Sequence, residues 1–253
     1  MLYILYVIFY QPLYNLLVLI YNLLPNHDLG LAIIILTLVV KAALFPISWK
    51  QIQSQKSLQD MQPKLDELKR KFKDDKQAQM QAQVQLFQEH KINPLSSCLP
   101  ILIQLPFLIA IYRVFIAGLG DSGLSGLYPF IHNPGHLNTM LFGLVDLTKT
   151  GTFVLPIAAG LLQGLQVWML NTKRPPKVAG AQDEDMAVIM NRQMMVIMPI
   201  MTAFIGYRLP CGLALYWMVN VLITVAQQLV FLRKHGKKTV VAGVEVRPPA
   251  PAA

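Results

Sequence analysis

The segment LGLAIIILTLVVKAALFPISW, Leu29 to Trp49, decides how the rest of the chain is read. Its 21 residues are apolar almost throughout, about the length that crosses a hydrocarbon core of roughly 30 Å. Lys41 is the exception. It stands twelve residues from the start of the run, about 18 Å in at a helical rise of ~1.5 Å per residue. A cation at that depth costs at least ~2.5–3.5 kcal/mol. Two readings account for it. Either the amine snorkels along its apolar stem to an interface, or it faces a wet cavity inside a helix bundle. Its distance from both ends of the run favours the second.

The whole chain agrees with a membrane setting. Of its 253 residues, 54% are hydrophobic and 14% charged, against about 25% charged in a soluble domain. A polytopic helical membrane protein is therefore expected. A basic n-region and a small-residue cleavage site are both missing, so a classical signal peptide is not expected. The two cysteines, Cys98 and Cys211, fall on opposite sides of the membrane in the layout below, which argues against a disulfide. No metal-ligand spacing is present, and no cofactor is expected.

Before the central run, residues 1–25 are apolar and carry no Lys or Arg. Gln11, Asn15 and Asn22 make a polar stripe flanked by Tyr10, Tyr14 and Tyr21. A helix lying in the membrane interface fits this pattern; an additional span or an uncleaved signal anchor is the alternative. After the run, residues 50–93 are polar. Leu58, Met61, Leu65, Leu68 and Phe72 alternate by three and four, the spacing of a coiled-coil seam. The cluster Lys73-Asp74-Asp75-Lys76 interrupts it, and Met80, Val84 and Phe87 offer a second seam. An antiparallel helical hairpin outside the membrane follows.

Four further apolar stretches complete a layout of five core spans. The second span is 94–116, the third 151–170, the fourth 193–208 and the fifth 212–232. Between them lie a Gly/Pro/Asn-rich loop at 117–150 and a polar loop at 171–192, and the chain closes on a basic tail at 233–253. Lys and Arg fix the orientation. The hairpin holds nine, the 171–192 loop four and the tail five of the 22, whereas the opposite side holds only Lys149 and Arg208. The hairpin, the second polar loop and the carboxyl terminus are thus expected in the cytoplasm, and the amino terminus outside.

Lys41, Gln104 and Gln163 fall at similar depths on three different spans. A single Gln in a span is ordinarily a helix–helix hydrogen bond worth under ~2 kcal/mol; three polar groups at one level make a shared hydrophilic pocket the better expectation. None of the five spans contains Asp or Glu, so the pocket lacks the carboxylates on which proton- and cation-coupled transport relies. The five histidines lie in loops or tails, and no nucleophile–base constellation or glycine-rich phosphate loop is in register with a cavity. An enzyme is not expected.

Four stretches together resemble the YidC insertases, relatives of the oxidase-assembly and Albino proteins. They are FYQPLYNLL (9–17), LQDMQPKLDELKRKFKDD (58–75), INPLSSCLPILIQLPFLIAIY (92–112) and PCGLALYWMVN (210–220). The resemblance implies an all-α bundle of five core spans, an external amphipathic helix at the start and a cytoplasmic hairpin. It implies a hydrophilic groove open to the cytoplasm and closed to the outside, lined by Lys41, Gln104, Gln163, Trp217 and Asn220. The family usually carries arginine at the Lys41 position; lysine keeps the charge and loses the bidentate fork. The implied activity is non-enzymatic insertion and folding of nascent membrane proteins in the bacterial plasma membrane. Implied partners are those clients, the lipid bilayer, the ribosome and the Sec translocon, with no nucleic-acid sequence recognised. A small anion transporter or channel using Lys41 is the alternative from another class.

Overall fold

A computed structural model describes residues 6–73, 75–90, 104–109, 111–112, 126–170 and 196–235. The 171–192 loop, the 236–253 part of the tail, Cys98 and most of the second span lie outside the described residues.

The described chain is helical apart from one small hairpin. A π-helical turn, Tyr6–Tyr10, runs into α1, Gln11–Leu23. Helix α2 is Leu29–Ala43 and α3 is Phe45–Lys71. Helix α4 is Lys76–Glu89, α5 is Val154–Leu170, α6 is Met198–Arg208 and α7 is Cys211–His235. Residues 104–109 and 111–112 are also helical. Strands β1, Met140–Leu141, and β2, Val145–Asp146, pair antiparallel, Met140 opposite Asp146 and Leu141 opposite Val145. Two described helices, Tyr6–Leu23 and Cys211–Lys234, are long and apolar enough to cross a membrane, and α2 with the first part of α3 makes a third if the bent pair is one span.

The central run is not one helix. It breaks at Leu44, and α2 and α3 meet at 71°. The cause is local. Pro46 has no N–H to give the Ala42 carbonyl, and its ring crowds that carbonyl. It stands in the opening turn of α3, where proline is well tolerated. Asp28 starts α2 cleanly: its carboxylate accepts from the Leu31 amide at 2.9 Å as a helix N-cap.

The main core collects the inner faces of α1, α2 and α7. Tyr14, Leu17, Val18 and Tyr21 pack with Leu29, Ala32, Ile33 and Leu36, and with Leu213, Leu215 and Tyr216. Ile131 and Leu147 from the loop close its end. Helices α5 and α6 approach closely because Gly160 faces α6 without a side chain. A Cβ there would lie 2.8 Å from the Pro199 carbonyl oxygen and 3.2 Å from the Ala203 Cβ.

The polar stripe of α1 has a different role from the one its pattern indicates. Asn15 is buried, donates to the Gly126 carbonyl at 3.1 Å and accepts from the Tyr128 amide at 2.6 Å. Asn22 donates to the His132 carbonyl at 2.7 Å. The Tyr21 hydroxyl accepts from the Asn138 amide at 2.7 Å. The stripe pins the 126–138 segment. At its far end the loop is tied to α7, with Gly212 N donating to Leu147 O and Cys211 N to Lys149 O, both at 2.9 Å.

Helix α4 folds back along α3. Met61, Leu65 and Leu68 meet Ala82 and Leu86, flanked by Phe72 and Phe87. Asp75 caps α4 by accepting from the Gln77 and Ala78 amides at 3.0 and 2.9 Å. The Lys64 ammonium donates to His90 Nε2 at 3.1 Å, joining the two helices at the open end. The facing row on α4 is therefore not the expected Met80 and Val84, which are 68% and 49% exposed. They lie two positions from Ala82, about 200° round the helix, and the small Ala82 side chain lets the helices close against bulkier Met61 and Leu65.

Candidate functional site

Helix α7 carries Tyr216, Asn220, Thr224 and Gln228, four residues apart, on one stripe. Three of the sequence-expected groove residues meet along it. Lys41 Nζ, near the end of α2, donates to Thr224 Oγ1 at 2.9 Å. Thr224 Oγ1 in turn donates to the Asn220 carbonyl at 2.8 Å. Asn220 Nδ2 donates to Gln104 Oε1 at 3.2 Å, and Gln104 Nε2 donates to Tyr216 Oη at 2.5 Å. Lys41, Gln104 and Asn220 thus belong to one chain of hydrogen bonds across three segments.

The other two expected residues are placed elsewhere. Gln163 accepts from Thr202 Oγ1 at 2.6 Å, joining α5 to α6. Trp217 packs against the apolar cluster of Met169, Val221 and Val225, beside Leu162 and Leu232. Sequence reading missed Tyr216 and Thr224 as the links of the network, although their four-residue spacing from Asn220 was visible. It also missed Gln228. That side chain is fully buried one turn beyond Thr224, and neither of its amide atoms has a hydrogen-bond partner among the described residues.

The chemistry of the cluster is that of a polar seat. Lys41, Gln104, Asn220 and Thr224 are each part-buried and part-exposed. Among the described residues no carboxylate lies within ion-pair distance of Lys41; the ion pair present is Lys56 with Asp60, at 2.8 Å on α3. An ammonium without a counter-ion, beside amide and hydroxyl groups, attracts water and negatively charged or carbonyl-bearing segments. No group of three or more His, Cys, Asp or Glu among the described residues is placed to hold a metal ion.

Helices α3 and α7 also share an aromatic contact. Trp49, in the second turn of α3, meets Phe231 of α7 edge to face with ring centroids 5.2 Å apart. Lys234 Nζ stands 6.0 Å from the centre of the Trp49 ring, within the range of a cation–π contact.

Comparison with known proteins adds the family. Residues 19–238 match the model of the 60Kd inner membrane protein family. The membrane protein insertase YidC of Fusobacterium nucleatum subsp. nucleatum is 35% identical over 207 residues, covering 82% of this chain and 87% of that protein. The membrane protein insertase YidC of Histophilus somni strain 2336 is 37% identical over 230 residues, 90% of this chain and 37% of that protein. That of Geotalea daltonii is 34% identical over 204 residues, 80% of this chain and 33% of that protein. The chain therefore spans most of the Fusobacterium relative and about a third of the other two.

Proposed function

The chain belongs to the 60Kd inner membrane protein family, that of the YidC insertases, and from this premise we propose that it inserts nascent membrane proteins into the bacterial plasma membrane without catalysing a covalent step. The observation that carries the mechanism is the hydrogen-bonded chain from Lys41 through Thr224 and Asn220 to Gln104 and Tyr216. It sets a cation and several amides inside an otherwise apolar helical bundle. In the proposed mechanism the groove opens to the cytoplasm. Lys41 and its neighbours hold water and the polar or acidic part of a client part-way across, while the client's apolar segment leaves sideways into lipid. Apolar burial, at ~25 cal/mol per Å², supplies the driving force.

The proposal keeps five core spans, with α2, residues 94–116, α5, α6 and α7 as their helices. The α3–α4 hairpin and the tail face the cytoplasm, and residues 117–150 face outside. The Lys/Arg asymmetry supports that orientation. For Tyr6–Leu23, which is long enough to span, an interfacial position is proposed on the strength of its polar bonds to the external loop. Gln163 and Trp217 are proposed as groove residues that a client meets after the Lys41 cluster. Ribosomes and the Sec translocon are the proposed partners upstream of the groove. The anion-transporter reading finds no support among the relatives described above.

Purified protein in liposomes tests the proposal. Insertion of a single-spanning test protein, measured by protease protection, is the expected result, without anion flux above that of empty vesicles. Flux without insertion would overturn it.

A further inference from the structure

The turn between β1 and β2 is built against its own preference. Phe142 and Gly143 have φ of 50° and 70°, and the Leu144 amide donates to the Leu141 carbonyl at 2.9 Å. Such a turn favours Asn-Gly, because both central residues take positive φ. A bulky aromatic residue there is strained. Phe142 is nonetheless 65% exposed and Leu144 83% exposed, so neither side chain recovers that strain by packing inside the protein.

The tip is also held firmly at one height. The Phe142 amide donates to Asp28 Oδ2 at 2.5 Å, and Asp28 is the N-cap of α2. Leu141 lies against Gly30, where a Cβ would come within 2.8 Å of the Leu141 Cβ. The hairpin therefore lies beside the first turn of α2 rather than standing above it. Other large apolar side chains are exposed around the same end of the bundle. They are Leu23 at the end of α1 (75%), and Phe153 and Val154 at the start of α5 (61% and 80%). Residues 140–145 carry no charge, and Lys149 is the one lysine between 126 and 151.

We propose that the Phe142–Leu144 tip is a lipid seat: its two side chains enter the headgroup–acyl boundary of the leaflet at the mouth of α2. Lipid is the occupant because the tip is uncharged and, like Leu23 at the end of α1 and Phe153 and Val154 at the start of α5, presents large apolar side chains that the protein leaves exposed. Aromatic residues favour that boundary. Burial in lipid gives the strained, exposed Phe142 the environment that the protein does not. The inference rests on the reading of the chain as membrane-embedded with residues 117–150 outside.

The test uses full-length protein in phosphatidylethanolamine/phosphatidylglycerol vesicles. An environment-sensitive nitrobenzoxadiazole dye is attached to Leu144→Cys, or to Asn133→Cys as a water-facing control; unmodified protein treated in parallel reports any reaction at the native cysteines. Emission from position 144 should be blue-shifted. Lipids bearing a nitroxide near the headgroup should quench it more than lipids bearing one near the chain terminus, and position 133 should show neither effect. Water-like, unquenched emission at 144 would overturn the proposal. Blue-shifted emission that no lipid nitroxide quenches would overturn it too, by placing the tip against protein. Sidedness is read separately, from reaction of Asn133→Cys with an impermeant maleimide in intact cells. Labelling from the cytoplasmic side alone would overturn the topology and leave the lipid seat standing. Phe142→Asn guards against a folding artefact, since it suits the turn. It should keep or raise thermal stability in detergent, yet speed trypsin cleavage at Lys149 in vesicles; unchanged cleavage there counts against the seat.

Discussion

Lys41 and Thr224 are 183 positions apart in sequence and 2.9 Å apart in space. The bond ties the last turn of α2 to the middle of α7. Its partner is a hydroxyl, and among the described residues no carboxylate pairs with Lys41, so the bond orients the positive charge without neutralising it.

Charge at position 41 should therefore matter more than shape. Lys41→Arg is expected to retain insertion. Lys41→Ala should impair clients with acidic translocated segments more than matched neutral clients, and Lys41→Glu should be worse than Ala for the acidic ones. A cation and a carboxylate about 4 Å apart gain ~1 kcal/mol in water and ~4 kcal/mol near a protein surface, so a loss of tenfold or more in relative insertion is expected for the acidic client. The measurement is insertion of the paired clients in cells depleted of other insertases. Equal insertion of both by all the variants would remove Lys41 from the mechanism.

Gln228 is the opposite case, a buried amide with no hydrogen-bond partner among the described residues. Gln228→Leu should stabilise the protein by about 1–3 kcal/mol, the range set by leaving a buried polar group unsatisfied. Thermal unfolding in detergent should rise by several degrees. An unchanged or lowered midpoint would mean that a bound group satisfies the amide in the purified protein.

The α3–α4 pair gives a prediction with an internal control. Leu65 and Leu68 are 6% and 2% exposed within the seam, so replacing both by Asp should separate the helices while the membrane bundle stays folded. Met80→Asp should have no such effect, because Met80 is 68% exposed. Limited proteolysis between residues 50 and 90, alongside the amount of integrated protein, reads both. Loss of integration in the Leu65/Leu68 variant would make the pair part of the bundle's core.

Asp146 makes a pH prediction for the loop. The Thr148 hydroxyl and amide, at 2.7 and 3.0 Å, with Thr139 and Lys149 adding to them, hold its carboxyl below the ordinary value. A depressed carboxyl stabilises the folded turn at pH values above its unfolded-state pKa. That contribution fades as pH falls through the folded-state value. Thr148→Ala should move the carboxyl back toward its ordinary range, and carboxyl chemical shifts followed against pH would show it. An unmoved titration would exclude Thr148 as the cause.

Much of the architecture is legible in the residues, and the failures are specific. Long apolar runs mark α2, α5 and α7 because helix length and hydrophobicity are local properties. Lys41 stands out because a charge in such a run is costly. The break at Leu44 was carried by Pro46 but masked by the continuity of the apolar pattern. The α4 face was misassigned because Met80 and Val84 outweigh Ala82 in hydrophobicity, whereas close packing rewards the smaller residue. The bonds of Asn15 and Asn22 to Gly126, Tyr128 and His132 are not legible in the stripe, because periodicity cannot reveal a partner more than a hundred residues away. For the same reason Lys41, Gln104 and Asn220 could be nominated together, but not the Thr224 and Tyr216 hydroxyls that join them.

The bonds that pin the 126–142 segment also impose an order in time. Asn15 waits for Tyr128, Tyr21 for Asn138 and Asp28 for Phe142, separations of 113, 117 and 114 residues. At a synthesis rate of about 5–20 residues per second, Asn15, Tyr21 and Asp28 are made roughly 6–23 s before the groups that fasten them. During that interval the side chain of Asn15, buried in the finished fold, lacks the Tyr128 amide that it accepts from. A fold fastened this way cannot finish its first corner until a stretch more than a hundred residues later has been made, so the opening helices are held by the part of the chain that follows them.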